Sequence, residues 1–349
     1  MKIAMTHVDL PNEAKGGVAF QVHYLANALA GRGHDVTMFT FSPSFGECRY
    51  QVHQYPIRPS LRRYKAFLLA LHSARTDFSG FDLLHAHGDN YLLRNCHPQV
   101  RTFYGSAKDE AQSAVTWKRR VYQTLTVALE AAGARVADKN IGISEATQAR
   151  IPAVTAIIPC GVDLRRFQPG KKSETPTVLF VGTTGGRKRG TLLAEIFQQE
   201  ILPSFPDAQL WSVAEKPLEG KNVVNYGKVS LETLTDLYQK AWVFCLPSTY
   251  EGFGVPYIEA MASGTAVVAT PTPGAREVLQ EGQYGLIADD EQIAEQIKKL
   301  LGNDEHRHDY ERRGLARAAD YDWPKVAAQY EEVYRQLVMP NNAELSHVS

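Results

Sequence analysis

The chain has 349 residues, more than one hydrophobic core usually supports, so we expect two domains. Lysine plus arginine equals aspartate plus glutamate at 38 each, which argues against a nucleic-acid-binding protein, because such proteins carry a basic excess. The chain shows no signal peptide, and no apolar run approaches the ~18 residues of a membrane span. With four widely spaced cysteines, these features predict a folded cytoplasmic protein in a reducing compartment.

The first half of the chain alternates between strand and helix patterns. Helices are predicted over residues 17–32 and, at greater length, over about 109–137. The predicted strands are residues 2–6, 35–40, 83–87, 100–104 and 139–143. Because strands and helices alternate, we expect an α/β domain with a doubly wound parallel sheet.

The second half follows a change of composition. Residues 169–176 are rich in proline, glycine and charge, as is typical of an exposed linker, so we place the domain boundary near residue 168. A second alternating set starts with a strand at residues 177–182. A last helix is predicted over 324–337, and residues 340–349 are predicted to be disordered.

Two glycine-rich loops follow predicted strands and lead into predicted helices. The first ends in Gly16 and Gly17, and tandem glycines let the backbone approach a ligand where a side chain would clash. The second, residues 182–190, contains three adjacent cations that could neutralise a diphosphate. These cations are Arg187, Lys188 and Arg189. The loop is not a P-loop, because its lysine is followed by arginine instead of serine or threonine.

The most informative segment lies between an apolar strand at residues 242–246 and a further strand at 265–270. It consists of a glycine turn and a short helix, bracketed by Glu251 and Glu259. In a parallel sheet, ligands gather at the carboxyl ends of the strands, where turns lead into helix N-termini. An anion could be bound there by the backbone N–H groups of Phe253, Gly254 and Val255.

The two carboxylates of this segment need a role other than binding phosphate, which they would repel. Accepting hydrogen bonds from sugar hydroxyls suits them. A ligand that carries both a diphosphate and several hydroxyls is a nucleotide sugar, so the segment predicts a nucleotide-sugar site.

The segment over 250–264 resembles the signature of the retaining GT-B glycosyltransferases, specifically the large family four, in which two glutamates separated by seven residues mark the donor site. The resemblance continues through residues 267–270 and spans most of the chain, most strongly over 177–290. It implies a GT-B fold, with two Rossmann-like doubly wound α/β domains that face a central cleft. It further implies an acceptor-binding domain over 1–168, a nucleotide-sugar-binding domain over 169–322, and a helix over 323–339 that crosses back to the first domain.

The resemblance also implies roles for residues of the two glutamate positions. Glu259 is expected to accept hydrogen bonds from the ribose hydroxyls. Glu251 and the N–H groups of Phe253 and Gly254 are expected to hold the donor sugar, with Val255 beside them.

Other implied positions match the family less closely. Lys188 matches a lysine that stabilises the leaving diphosphate, but Thr183 replaces the usual arginine, and whether Arg187 or Arg189 substitutes for it stays open. The pair Gly16 and Gly17 is expected near the donor phosphate and sugar. Before Gly105, the residue is Tyr104 where the family usually has a histidine beside the donor sugar, so a substrate contact and a core role both stay open. Lys188 and the two arginines lie in the basic loop, and Tyr104 stands at the end of a predicted strand.

The predicted enzyme moves a sugar from a nucleotide diphosphate donor to an acceptor hydroxyl with retention of configuration, without metal or cofactor. A UDP-sugar is the favoured donor and GDP- or ADP-sugars are alternatives; the acceptor is a saccharide, a lipid or a small molecule. A catalytically inactive nucleotide-sugar-binding module and a nucleotide-sugar epimerase of the same fold remain as other interpretations. A dinucleotide oxidoreductase is disfavoured, because Tyr257 stands where the third glycine of its fingerprint belongs.

Two further features have more than one interpretation. His85 and His87 face the same side of a strand and could bind a metal, but no third ligand is evident, so packing or hydrogen bonding is favoured. Four basic residues beside the apolar stretch 67–71 could contact a membrane surface, bind an acidic acceptor or form a solvated helix face. These residues are Arg58, Arg62, Arg63 and Lys65.

Overall fold

The computed structural model describes the chain over residues 1–11, 17–106 and 117–339. For residues 117–123 the backbone alone is described. Gly16 and the tail predicted over 340–349 lie outside the described residues.

Two compact units make up the chain. Unit 1 consists of Met1–Gly161 and the chain from Trp323 onward, whereas unit 2 consists of Val162–Asp322. The chain therefore enters unit 2 shortly before the boundary predicted at residue 168.

Unit 1 is built on a seven-stranded parallel sheet. Its strands are β1 (Lys2–Thr6), β2 (Asp35–Thr40), β3 (Gln51–Gln54), β4 (Leu83–Ala86), β5 (Gln99–Phe103), β6 (Lys139–Gly142) and β7 (Ala156–Ile157). They are ordered β3-β2-β1-β4-β5-β6-β7. At the centre, Ile3 pairs with Val36 on one side and Leu83 on the other, and all three are buried. The five strands predicted for this half are confirmed.

Among the described residues, four α-helices of unit 1 lie before the chain enters unit 2. They are α1 (Val18–Gly31), α2 (Lys65–Ser73), α3 (Trp117–Val136) and α4 (Glu145–Arg150). The apolar face of α1 places Val22, Leu25 and Leu29 in the same core cluster as the central strands. The helix predicted over 109–137 is confirmed from Trp117 on, and its predicted start lies outside the described residues.

Unit 2 contains a six-stranded parallel sheet. Its strands are β8 (Thr177–Val181), β9 (Gln209–Val213), β10 (Val223–Asn225), β11 (Val243–Leu246), β12 (Ala266–Ala269) and β13 (Leu286–Ile287). Their order is β10-β9-β8-β11-β12-β13. Phe244 of β11 pairs with Leu179 of β8 and Val267 of β12, so the carboxyl ends of these three strands lie side by side.

The α-helices of unit 2 differ in how their first turns are capped. They are α5 (Gly190–Ile196), α6 (Leu231–Lys240), α7 (Val255–Ala262), α8 (Pro273–Leu279), α9 (Ile293–Gly302) and α10 (Asp304–Ala318). The side chains of Ser230, Thr272 and Asn303 accept hydrogen bonds from first-turn N–H groups of α6, α8 and α10. Each such cap is worth about 1 kcal/mol, which fixes where the helix starts.

The last helix, α11 (Trp323–Val338), packs on unit 1. The hydroxyl of Tyr334 lies 2.6 Å from Nδ1 of His85, and that of Tyr330 lies 3.2 Å from Oγ1 of Thr102. Both tyrosines are buried in the core of unit 1. The sequence predicted this helix but its contacts depend on strands far away in the chain.

Two bulk properties complete the description. Cys160 and Cys245 are buried and not disulfide-bonded, so they pack as small core residues. Within the described ranges, no helix combines the length and apolar character needed to cross a lipid bilayer.

Candidate functional site

Lys188 and Glu251 meet at the carboxyl edge of the sheet of unit 2. Lys188 follows β8 and Glu251 follows β11, and their Nζ and Oε1 atoms lie 3.0 Å apart. Both side chains are largely shielded, with 18% and 8% of their surface exposed. Two residues predicted for different parts of a donor molecule therefore form one ion pair in the unliganded protein. A Cβ atom at Gly182 would approach the Lys188 methylenes to 3.1–3.2 Å, so glycine leaves room for the lysine stem.

The position of Glu251 is fixed by hydrogen bonds from neighbouring strand ends. The hydroxyl of Ser248 donates to Oε1 of Glu251 at 2.8 Å, and both residues are buried. The hydroxyl of Thr270, just after β12, donates in turn to the carbonyl of Ser248. The Glu251 carbonyl accepts from the N–H of Gly274 at 2.8 Å. Oε1 of the Glu251 carboxylate thus accepts a hydrogen bond from Ser248 and forms an ion pair with Lys188, and these two contacts orient the carboxylate.

Glu259 lies on α7, where its carboxyl group is in surroundings that favour the neutral form. Burial raises the pKa of Glu259 to about 7, against the opposing effects of a hydrogen bond from Tyr238 and the charge of Lys188. The Tyr238 hydroxyl donates to Oε2 of Glu259 at 3.2 Å. Because Tyr238 is fully buried on α6, it fixes the direction of the carboxyl group.

The turn between the two glutamates ends in a glycine at a position where a residue with a side chain would not fit. Gly254 has a φ of 97°, and a Cβ there would lie 2.3 Å from the ring of Tyr257. It caps α7, and Pro256 stands in the first turn, where its missing N–H costs nothing. The Phe253 ring is buried against Tyr321 at 5.7 Å. The N–H groups of residues 253–255 therefore belong to the start of a helix, as predicted.

The three cations of the basic loop have different surroundings. Arg187 is exposed, and its guanidinium makes no hydrogen bond or ion pair within the described part of the chain, although its carbonyl accepts from the N–H of Thr249. Arg189 makes a two-pronged contact with Asp290 at 2.6 and 2.7 Å. Its Nε donates to the carbonyl of Pro247 at 2.6 Å. Arg187 is thus available to a ligand, whereas the guanidinium of Arg189 is already engaged.

An open polar cavity of about 380 Å³ adjoins the ion pair at the same edge. Its walls come from the ends of β11, β12 and β13 and from the start of α8. The lining residues are Arg189, Ser248, Thr249, Thr270, Pro271, Thr272, Asp289, Asp290 and Glu291.

The predicted residues of unit 1 gather at the carboxyl edge of its own sheet. Gly17 caps α1 after β1 with a φ of 68°, and nothing lies within 4 Å of where its Cβ would stand. Tyr104 and Gly105 follow β5, and the Tyr104 hydroxyl lies 3.0 Å from Nδ1 of His87. Burial raises the pKa of Tyr104 well above its usual value, so it remains a neutral hydroxyl.

His85 of β4 and His87, directly after that strand, are hydrogen-bonded, as favoured from the sequence. His85 contacts the hydroxyls of Tyr334 and Thr102, and His87 contacts that of Tyr104. Burial lowers the pKa of His85 to about 3, so the ring is neutral near pH 7. Among the residues that the structure describes, no group of three or more His, Cys, Asp or Glu side chains is arranged to hold a metal ion.

Sequence reasoning missed three side chains that orient the predicted ones. Ser248 lies two residues after β11, and a hydroxyl residue close to a predicted strand end is a signal that could have been used. Tyr238 and Asp290 gave no local signal, because their partners lie 21 and 101 residues away.

Two family models match the chain. The model "Glycosyltransferase Family 4" matches residues 15–166, and "Glycosyl transferases group 1" matches residues 162–317. Among curated relatives, the chain is 28% identical to a phosphatidyl-myo-inositol mannosyltransferase of Mycolicibacterium smegmatis, over 92% of this chain and 90% of the relative.

Two solved structures illustrate the likeness in fold. A sucrose-phosphate synthase from Thermosynechococcus elongatus is 24% identical with a TM-score of 0.75, covering 96% of this chain and 98% of the other. Anabaena HepE in complex with UDP-glucose is 16% identical with a TM-score of 0.72, covering 97% of this chain and 100% of the other. These likenesses, with the two parallel-sheet units, confirm the predicted GT-B fold class. The chain belongs to the glycosyltransferases that the two family models describe, glycosyl transferases group 1 and glycosyltransferase family 4.

Proposed function

We propose that the protein transfers a sugar from a nucleotide diphosphate donor to an acceptor hydroxyl, with retention of anomeric configuration and without a metal ion. The observation that carries this proposal is that Lys188 pairs with Glu251 at the carboxyl edge of the sheet and interacts electrostatically with Glu259 on α7, the helix that Gly254 caps. Cations, carboxylates and helix N–H groups together match the phosphates and hydroxyls of such a donor.

In this proposal Lys188 and Arg187 bind the diphosphate. Arg187 is exposed and unengaged, and Lys188 exchanges the Glu251 carboxylate for phosphate oxygens when the donor arrives. Two positive charges balance the charge that develops on the leaving diphosphate, which is the role that a metal ion plays in other enzymes.

The two glutamates bind the hydroxyl-bearing parts of the donor. Glu259 accepts hydrogen bonds from the ribose, and Tyr238 keeps its second oxygen in place. Glu251 holds the sugar together with the N–H groups of Phe253, Gly254 and Val255. Oε1 of Glu251 accepts from Ser248, and in this proposal the carboxylate acts as a hydrogen-bond acceptor and not as a nucleophile.

Retention then follows from attack on the face that the diphosphate leaves. The bond from C1 of the sugar to the diphosphate oxygen breaks, the bond from C1 to the acceptor oxygen forms, and the acceptor proton passes to the departing phosphate. A UDP-sugar is the first candidate donor, in keeping with the UDP-glucose bound by the structurally similar Anabaena protein, and GDP- and ADP-sugars are the alternatives.

The acceptor is proposed to bind in unit 1, near Tyr104 and Gly105. A lipid or saccharide acceptor fits the naming of the mycobacterial relative as a phosphatidyl-myo-inositol mannosyltransferase. Small-molecule hydroxyls remain an alternative acceptor class.

Exposed apolar and basic side chains favour a peripheral membrane contact as a second property. Over Pro59–Tyr64 and the following helix α2, the large apolar residues Leu61, Tyr64 and Leu71 are exposed, and three arginines beside them are exposed as well. These arginines are Arg58, Arg62 and Arg63, whereas Lys65 pairs with Asp9. Sedimentation with vesicles containing anionic phospholipid should capture the protein, and Arg62→Glu with Arg63→Glu should release it; binding that is equal for both proteins contradicts the contact.

The proposed function is tested most simply by removing the charge of Lys188. Lys188→Ala should lower the rate of sugar transfer, or the rate at which the donor sugar is hydrolysed, by about 100- to 1,000-fold, because the cation that stabilises the charge on the leaving oxygen is lost. Product release from UDP-, GDP- and ADP-sugars, followed by chromatography, measures this directly.

The matched control is Lys221→Ala, which removes an exposed lysine of the same unit. It should retain wild-type turnover. Turnover in Lys188→Ala equal to that of the control contradicts the role of Lys188. Donor binding without any turnover in the wild-type protein would favour the inactive binding module.

A further inference from the structure

Arg189 and Asp290 connect two strand ends that are not neighbours in the sheet. Arg189 follows β8, and Asp290 follows β13, so β11 and β12 lie between their strands. Both guanidinium Nη atoms of Arg189 donate to the two carboxylate oxygens of Asp290, at 2.6 and 2.7 Å. A fork-to-fork contact of this kind fixes direction as well as distance.

The same arginine also contacts β11, one of the two strands that lie between. Nε of Arg189 donates to the carbonyl of Pro247, directly after β11. Each of the three nitrogens of this guanidinium thus donates a hydrogen bond within unit 2. Earlier in the loop, Lys188 is paired with Glu251, and the carbonyl of Arg187 accepts a hydrogen bond from the N–H of Thr249.

The backbone at Arg189 shows that the loop is held in a demanding conformation. Arg189 has a φ of 52° and a ψ of 43°, in the left-handed region that side-chain-bearing residues seldom adopt. Directly after it, Gly190 starts α5 against the ring of Phe180, where a Cβ would lie 2.6 Å from the ring. The contacts of the Arg189 side chain therefore offset the cost of a turn that sets where Lys188 and Arg187 stand.

We propose that Arg189 and Asp290 form a clamp that positions the basic loop for the donor diphosphate, so that Arg189 acts through Lys188 and Arg187 and does not bind phosphate itself. The inference rests on the proposed function, since it concerns the same diphosphate site. It assigns Asp290, an acid beside a cavity for an anionic ligand, a positive contribution to binding that anion. It also leaves Arg187 as the substitute for the arginine that Thr183 replaces.

The two possible roles of Arg189 predict opposite effects of removing the Asp290 carboxylate on diphosphate binding. If Arg189 bound the diphosphate directly, Asp290 would compete for it, and Asp290→Ala would tighten diphosphate binding. If the pair is a clamp, Asp290→Ala and Arg189→Ala both loosen the loop and weaken binding by about tenfold. The double variant should then bind no more weakly than Arg189→Ala alone, because both substitutions remove the same contact between Arg189 and Asp290, and Arg189→Ala also removes the hydrogen bond to Pro247.

Calorimetry of UDP and uridine, with GDP and guanosine and ADP and adenosine in parallel, measures the effect. The clamp predicts weaker diphosphate binding with nucleoside binding unchanged within about twofold, since the ribose partner Glu259 is untouched. A general loss of folding would weaken both ligands and would contradict a positioning role. Tighter diphosphate binding by Asp290→Ala would overturn the proposal.

A neighbouring acid provides the control for charge. Asp289 lines the same cavity and is exposed, so Asp289→Ala removes one negative charge without removing the clamp. It should bind diphosphate as the wild type does, or slightly better. If Asp289→Ala weakened binding as much as Asp290→Ala, the effect would not come from the clamp. If the wild-type protein bound none of the diphosphates, the proposed function would fail instead, which separates the two ideas.

Discussion

The carboxyl group of Glu259 gives the site a dependence on pH. Its pKa in the folded protein is about 7, above the ordinary value of 4.5, chiefly because it is buried. Between these two values the folded protein keeps a proton that the unfolded chain releases. The free energy of unfolding therefore falls as pH rises from about 4.5 to about 7, and it stays lowered above that range.

Replacing Glu259 by glutamine should remove this penalty. At pH 8 Glu259→Gln should unfold about 2–4 °C above the wild type, since it has no charge to bury, and at pH 5 the two proteins should unfold together. Thermal unfolding without nucleotide, measured at both pH values, checks this. Glu219→Gln, at an exposed site of the same unit, should match the wild type at both. An unfolding temperature of Glu259→Gln that is lower at pH 8 would show that burial does not disfavour the charge.

Individual site residues could be predicted where the signal is local in sequence. Glu251, Glu259 and Lys188 each stand at a fixed place after a recognisable apolar strand, and the structure brings them together at one edge. Ser248 and Asp290 could not be assigned a role, because each acts through a partner that only the fold brings near. Which of Arg187 and Arg189 is available to a ligand likewise depends on a contact that only the fold creates, between Arg189 after β8 and Asp290 after β13.

At the scale of elements, the start of α7 depends on one glycine. Gly254 has a positive φ, and its Cα faces the buried ring of Tyr257. Gly254→Ala should therefore lower the unfolding temperature by about 4 °C or more, because it adds backbone strain and a clash with a ring that cannot move. Differential scanning calorimetry of the variant measures the change.

Gly252→Ala is the matched control in the same turn. Its added Cβ would come no closer than 3.6 Å to a neighbouring atom, and its φ is not in the left-handed region. It should unfold within about 1 °C of the wild type. Equal losses in both variants would mean that the turn, and not the conformation at Gly254, determines stability.

Most long or apolar helices and strands could be predicted from the hydrophobic pattern of their residues. The strands that were not predicted lack such a pattern. The predicted strands 2–6 and 35–40 coincide with β1 and β2, because buried parallel strands are continuous apolar runs. The polar edge strand β3 (Gln51–Gln54) and the two-residue β13 carry no such run. The order and register of the strands depend on contacts between distant parts of the chain. From the sequence, only the class of a doubly wound parallel sheet could be predicted.

At the scale of the whole molecule, the two units have separate sheets, and each gathers its predicted residues at one carboxyl edge. In unit 1 these are Gly17, Tyr104 and Gly105, and in unit 2 they are the basic loop and the glutamate segment. The alternation of strands and helices predicted this architecture. Which nucleotide and which acceptor are used depends on side chains of the loops, where the sequence pattern gives no comparable signal.

A crystal structure of the protein with an intact nucleotide sugar tests the central claim most directly. The sugar nucleotide should be chosen by thermal shift among UDP, GDP, ADP and dTDP, because the preferred nucleotide stabilises the folded protein by mass action. The account predicts phosphate oxygens within hydrogen-bond distance of Lys188 and Arg187, ribose hydroxyls on Glu259, and Arg189 still paired with Asp290. A donor bound away from these residues, or no stabilisation by any of the four nucleotides, would contradict it.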